Sequence, residues 1–207
     1  MSSGCRARPY AQEMRRPFMS TPEQLASLEG QQYLVLRPTS TVADRYRTEQ
    51  RTALARADVP HPHTGHVTLR GFHEPERREE LAALLRRWAA SQQPIEVVAE
   101  AVDAFPAPWQ ILILRLSRTP SLVAAYTRLT DVLDRTDFQR LGELPVNEWT
   151  FHLSVVYAKT LAPAAWTSLS HMSRRSIGAR PSETIGEAEL VWYENGEEHS
   201  EVIPFTG

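Results

Sequence analysis

The sequence predicts an α+β protein made of two β-α-β-type halves, two lobes facing one cleft. Three observations carry this. Apolar runs of strand length alternate with amphipathic runs at three- and four-residue spacing along most of the 207 residues. Two short strands nearly repeat, QYLVLR at 32–37 and QILILR at 110–115, 78 residues apart. Each is followed by a helix and then by a strand carrying a histidine and a hydroxyl two residues apart: His66 and Thr68 in the first half, His152 and Ser154 in the second.

The elements follow in order. QQYLVLRP (31–38) is a β-rich run ended by proline. Residues 41–57 form a helix whose apolar face holds Val42, Tyr46, Ala53, Leu54 and Ala57. A turn, DVPHPHT, leads into the strand GHVTLRGF (65–72). Residues 74–92 are the clearest helix, with Leu81, Leu84, Leu85 and Trp88 on one stripe. Strands at 95–105 and 110–117 flank a Pro-Ala-Pro turn.

The order then begins again. A helix at 120–136 opens on Pro-Ser, FHLSVVYA (151–158) is a strand and 162–175 a helix. GEAELVWYEN and EHSEVIPF close the chain as a hairpin around Asn195-Gly196. The two histidines lie 86 residues apart, so the second half carries an insertion of eight, for which 137–150 has room. The expected organisation is a disordered N-terminal extension, residues 1–24, ahead of one bilobal domain, 25–207, with pseudo-repeats at about 31–105 and 109–205.

Composition narrows the function classes. A net charge of −2 argues against a protein that coats nucleic acid, which needs a basic excess, while leaving room to recognise one phosphate or an RNA end. Twenty-two arginines against one lysine, Lys159, fit bidentate phosphate contacts, although a GC-rich genome's codon preference explains the bias as well. A lone cysteine, Cys5, excludes an internal disulfide framework and suits a reducing, cytoplasmic setting. No run is apolar enough for a membrane span, and the arginine-rich N-terminus lacks the apolar centre of a secretory signal.

His-x-[Ser/Thr] occurs three times among the seven histidines. At His171 and Ser173 it falls in a predicted helix, where residues two apart face different ways. The other two lie in strands, where they share a face. One such strand would be read as a histidine bonded to backbone; two, in matching slots of a duplication, read as a pair.

The strands HVTL and HLSV, set in repeated β-α-β units, resemble the two signature motifs of the two-histidine (2H) phosphoesterase superfamily, and among its branches the bacterial 2′-5′ RNA ligase or cyclic phosphodiesterase group. The similarity spans about residues 31–205. It implies two antiparallel sheets around a central groove, with both motif strands at the floor. The second motif has serine in place of the commoner threonine, and continues VVYAK where ligase-like members carry an arginine-bearing ending. The reaction implied opens a 2′,3′-cyclic phosphate to a 2′-phosphate. The reverse, 2′-5′ RNA ligation, and a binding module for nucleotides or RNA ends that has lost turnover are the alternatives.

The groups suit that chemistry. Opening a cyclic phosphodiester needs a base for water and an acid for the departing sugar oxygen, and imidazole, with a pKa near ~6.5, serves either role. Thr68 and Ser154 would donate to the non-bridging phosphate oxygens. Two imidazoles and two hydroxyls cover proton transfer and charge, so neither cofactor nor metal is required. The partner expected is a nucleotide or RNA end carrying a cyclic phosphate, met by a monomer.

Other contacts are assigned by strand parity. Arg70 shares the parity of His66 and Thr68, so it is placed toward the phosphate, with a surface ion pair as its other reading. Tyr157 and Lys159 have the opposite parity to His152 and reach the substrate only if a bulge intervenes. Tyr33 and Trp192 are candidates for stacking on a base. His61, His63 and His66 are spaced to gather around a metal, but a proline stiffens the loop and no carboxylate or cysteine is near, so solvated rim histidines are expected.

Overall fold

The structure is a computed structural model that describes residues 15–19 and 21–207. Its elements are α1 (Pro22–Ser27), β1 (Gln32–Leu36), α2 (Thr41–Leu54), β2 (Val67–Phe72), α3 (Arg78–Ala89), β3 (Ile95–Phe105), β4 (Ile111–Leu116), α4 (Pro120–Leu133), β5 (Arg140–Leu141), β6 (His152–Tyr157), α5 (Pro163–Ser173), β7 (Arg175–Ser176), β8 (Ser182–Ile185), β9 (Glu187–Glu194) and β10 (Glu197–Pro204). The β9–β10 turn places Asn195 and Gly196 at φ 57° and 73°, the left-handed pair that a two-residue hairpin requires.

Every strand pairing is antiparallel, and the strand order is β10-β9-β1-β2-β6-β4-β3-β7. The short β5 and β8 add to β2 and β3. The two expected sheets are the two halves of this path. They meet between β2 and β6, whose register holds one pair, Val67 with Leu153. The order is mirrored about that joint, and the halves exchange strands: β3 lies beside β4 of the later half, and β9 returns beside β1.

One sheet face carries the main core. Leu34, Leu36, Val67, Leu69, Leu114, Leu153 and Val155 pack there with Leu81, Leu85 and Trp88 of α3 and with Leu122, Tyr126 and Leu129 of α4. Burying such side chains contributes about 1.5–3 kcal/mol each. The carboxylate of Glu183 on β8 accepts from the backbone N–H groups of Thr39, Ser40 and Val42, so the later half caps the start of α2. A second, smaller cluster of Phe18, Met19, Val35, Val191 and Tyr193 covers the other face of the first half.

Phe18 and Met19 also correct an expectation. They belong to the supposed disordered extension, yet Phe18 is 1% exposed and both backbone N–H groups are held by Glu198, at 2.7 and 2.9 Å. Thr21 caps α1 through a reciprocal capping box with Gln24. The rest of that stretch, residues 1–14 with Cys5 and residue 20, lies outside the described residues. Among the described residues no helix is long and apolar enough to cross a membrane.

Candidate active site

Along both motif strands, partly exposed and fully buried residues alternate. His66, Thr68, His152 and Ser154 are partly exposed, while Val67, Leu69, Leu153 and Val155 are at 0%. The apolar partners face the core and the polar ones the opposite side, as a two-residue period dictates. The joint then sets the two motifs against each other. Val67 sits between His66 and Thr68, and Leu153 between His152 and Ser154. The antiparallel sense of this single pair directs His66 toward the side of Ser154 and Thr68 toward the side of His152. The two motifs thus flank one joint.

Both imidazoles are oriented alike. His66 Nδ1 bonds to the carbonyl of Thr64 at 3.3 Å, and His152 Nδ1 to the carbonyl of Thr150 at 2.7 Å. A carbonyl only accepts, so Nδ1 carries the proton and the neutral ring presents the Nε2 lone pair. The chain bends at His63 and Thr64, and Gly65 then passes close to Tyr46, where a Cβ would lie 2.8 Å from its ring. Gln50 braces this loop, its side-chain amide donating to Tyr46 Oη, Pro62 O and Val155 O.

Burial lowers the pKa of both imidazoles. For His66 it is pulled down to about 4; the positive charges of His152 and Arg37 add to burial, and the Thr64 carbonyl and Glu189 oppose it. For His152 burial lowers it against the Thr150 carbonyl. Free of ligand, both rings are neutral at pH 7.

Beside them is a cleft of about 330 Å³. His66, Thr68, Ser154 and Tyr157 line it, along with Tyr33, Tyr193, Val35, Val191, Phe18 and Met19. Burial pushes the pKa of the Tyr157 hydroxyl up to about 12, against the opposing effect of Ser154, so it stays a phenol.

Two β-bulges decide the remaining assignments. Val35 pairs with Thr68 and Leu34 with Arg70, leaving Leu69 unmatched; Ile113 pairs with Ser154 and Leu112 with Val156, leaving Val155 unmatched. Each bulge follows the hydroxyl of its motif and flips every later side chain to the other face. Tyr157 therefore enters the cleft. Arg70 leaves it: fully buried, it donates a hydrogen bond to Thr130 Oγ1 at 2.7 Å, forms an ion pair with Glu143 at 2.9 Å and lies 4.5 Å from the Tyr126 ring. Gly71 takes the cleft-side slot instead, against the Tyr33 ring.

Three further expectations are corrected or placed. Lys159 stands in the exposed turn after β6 and does not line the cleft. Trp192 points away from it, stacked on His199 at 5.4 Å with the Arg78 guanidinium 4.8 Å from its ring. Among the described residues no group of three or more His, Cys, Asp or Glu is placed to hold a metal, so His61, His63 and His66 do not converge. His63 is exposed, and the carbonyl of His61 is tied to Gln24 of α1. Phe18, Met19, Val191 and Tyr193 were not foreseen in the cleft. The period of β9 puts Val191 and Tyr193 on one face, but nothing in the sequence pairs β9 with β1.

The family model described as the 2′-5′ RNA ligase superfamily matches residues 37–197. The chain belongs to that superfamily. Solved structures share its 2H phosphoesterase fold. TT0787 of Thermus thermophilus is similar over 86% of this chain and 98% of its own, at 15% identity and TM-score 0.64. E. coli LigT complexed with NADP+ is similar over 86% and 99%, at 12% identity and TM-score 0.57. Usb1 of Kluyveromyces marxianus covers 85% and 98%, at 12% identity and TM-score 0.54. No curated protein matches this 2′-5′ RNA ligase superfamily member by sequence.

Proposed function

We propose that the protein is a metal-independent phosphodiesterase that opens a 2′,3′-cyclic phosphate on a nucleotide or RNA end to a 2′-phosphate. One observation supports this reading: the Val67–Leu153 pair sets two carbonyl-oriented imidazoles and two hydroxyls about one joint, and His66, Thr68 and Ser154 line the cleft beside it. Water attacks phosphorus as the bond to O3′ breaks. One Nε2 takes the proton from water and the other gives a proton to O3′. His66, the ring held down to about 4, is the base. His152, with the short 2.7 Å bond to Thr150 O, is the acid, and it takes up its proton when the anionic phosphate arrives. Thr68 and Ser154 donate to the non-bridging oxygens where charge develops. Tyr157 sets the Ser154 hydroxyl, and Tyr33 is the ring beside which a base stacks.

A cleft of about 330 Å³ is small for a binding pocket and suits a single terminal nucleotide. The relative LigT has been captured with 3′-AMP as well as NADP+, at TM-score 0.57 in both cases, which supports a nucleotide ligand. The test is hydrolysis of 2′,3′-cyclic nucleotides in EDTA, with the product resolved by phosphorus NMR. Turnover to the 2′-phosphate, lost in His66→Ala and in His152→Ala, supports the proposal. Binding without turnover across a panel of cyclic phosphates would replace it with the binding-module reading. Joining of RNA ends in place of hydrolysis would replace it with ligation.

A further inference from the structure

Phe18 belongs to a segment that precedes β1 and the whole matched region, yet it touches a motif histidine. Its ring meets the His66 imidazole edge to face, with centroids 4.6 Å apart and planes at 70°. The other half holds the same arrangement: Phe105 meets the His152 imidazole at 4.9 Å and 86°. The two phenylalanines come from unlike places, one from the end of β3 and one from the segment ahead of α1. The halves thus reach one local geometry from non-equivalent parts of the chain. Each motif imidazole has a phenylalanine ring set against its edge or face.

The anchoring is as specific as the contact. Glu198 accepts from the N–H groups of Phe18 and Met19, and the carbonyl of Phe18 accepts from His63 N at 2.7 Å. The Arg37 guanidinium lies 3.9 Å from the Phe18 ring centroid and is itself fixed by Glu189 through two 2.8 Å bonds. Arg15, three residues earlier, pairs with both Glu187 and Glu189. Phe18 is therefore pinned against Arg37 as well as His66, and it is 1% exposed, so it offers no free face on which a substrate base stacks.

We infer that Phe18 is a positioning residue for His66: delivered by the segment at 15–19, it fixes the plane of that imidazole and covers one side of it. Aromatic pairs of this edge-on kind contribute about 0.5–1.5 kcal/mol beyond the area they bury, enough to hold a ring without locking it. The inference rests on the proton-transfer role proposed for His66, and its test is chosen to stand apart from that role.

The experiment titrates the histidine Cε1 protons by NMR in wild type, Phe18→Ala and Phe18→Leu, with the His66 signal assigned from His66→Gln. In Phe18→Ala the His66 midpoint is expected to rise by at least one pH unit while that of His152 stays in place. Phe18→Leu, which keeps the burial and loses the ring, should fall between. With a cyclic nucleotide as substrate, kcat is expected to fall about tenfold with KM within a factor of three. Phe18 lies in the small cluster, separate from the main core. Should Phe18→Ala nevertheless unfold, Glu198→Ala frees the segment without touching either imidazole and should move the His66 midpoint in the same direction. A folded variant whose His66 midpoint matches wild type overturns the inference. If the wild type turns over no cyclic phosphate, the proposed activity fails, and the NMR midpoint still decides the role of Phe18.

Discussion

Val67 and Leu153 form the one register pair through which the two halves of the sheet are joined, and each sits between the histidine and the hydroxyl of its own motif. The same pair therefore carries a structural and a functional load. On the core side two fully buried side chains close the seam; on the other side their neighbours make the site. Anything that shifts this register separates His66 from Ser154 and Thr68 from His152 together.

Leu153→Ala is accordingly expected to lose about 2–5 kcal/mol of stability, the usual cost of a cavity in a buried core. The urea midpoint measures it. Activity should fall further than the folded fraction alone accounts for, because the seam also sets the cross-strand geometry. Leu153→Met, close in volume, should cost less than about 1.5 kcal/mol and keep most activity.

His66→Ala and His152→Ala are each expected to lower kcat by about 10²–10⁴-fold, the range for one general acid or base. The double variant should be little worse than either single one, since the two rings act in one concerted proton transfer and such effects do not add. A double variant as much slower again as the product of the two would show that the rings act independently.

The two-residue period and the near-repeat of QYLVLR and QILILR were enough to single out the four motif residues as candidates. It hid whatever depends on which strand lies next to which. Leu69 and Val155 read as ordinary strand residues, because a bulge is defined by the register of the partner strand. Their effect was to decide two assignments: Arg70, given to the cleft by parity, points to the core, and Tyr157, which parity admitted only with a bulge, points in. Phe18 was hidden for another reason. It is held by Glu198 and Arg37, far along the chain, through contacts that leave no periodic trace.

Arg70→Met tests the exchanged assignment. The variant loses the bond to Thr130, the ion pair with Glu143 and the face of Tyr126. About 1–3 kcal/mol of stability should go, as for other buried polar groups left without partners. The KM for a cyclic nucleotide should be unchanged. A tenfold rise in KM with stability intact would return Arg70 to the phosphate.

Tyr157→Phe removes the hydroxyl that shares the cleft with Ser154 and leaves the ring in the cleft wall. A fall in kcat of about three- to tenfold is expected, from loss of order in one donor. Ser154→Ala removes the donor itself and should cost about 10²-fold or more. Equal losses in the two variants would mean that the phenol, not the serine, meets the phosphate.

The two lowered histidine pKa values act in opposite directions on stability and on rate. His66 is neutral in the folded chain down to about 4, while the unfolded chain takes its proton near ~6.5. Between those values the unfolded state binds more protons, so stability is fully present above about pH 6.5 and is lost as the pH falls toward 4. His152 adds to the same trend, its pKa also being lowered by burial. Urea midpoints between pH 7.5 and 4.5 should decline, and the decline should be shallower in His66→Gln, which leaves the carboxylate contribution unchanged. The rate behaves the other way. A bell-shaped kcat/KM reports the free enzyme's acid and base and peaks midway between their pKa values, whichever ring plays which part. With both values lowered, the optimum is expected on the acidic side of about 6.5, inside the window where the fold is losing stability. An optimum above pH 7 would mean that the two rings are not the pair that moves the protons.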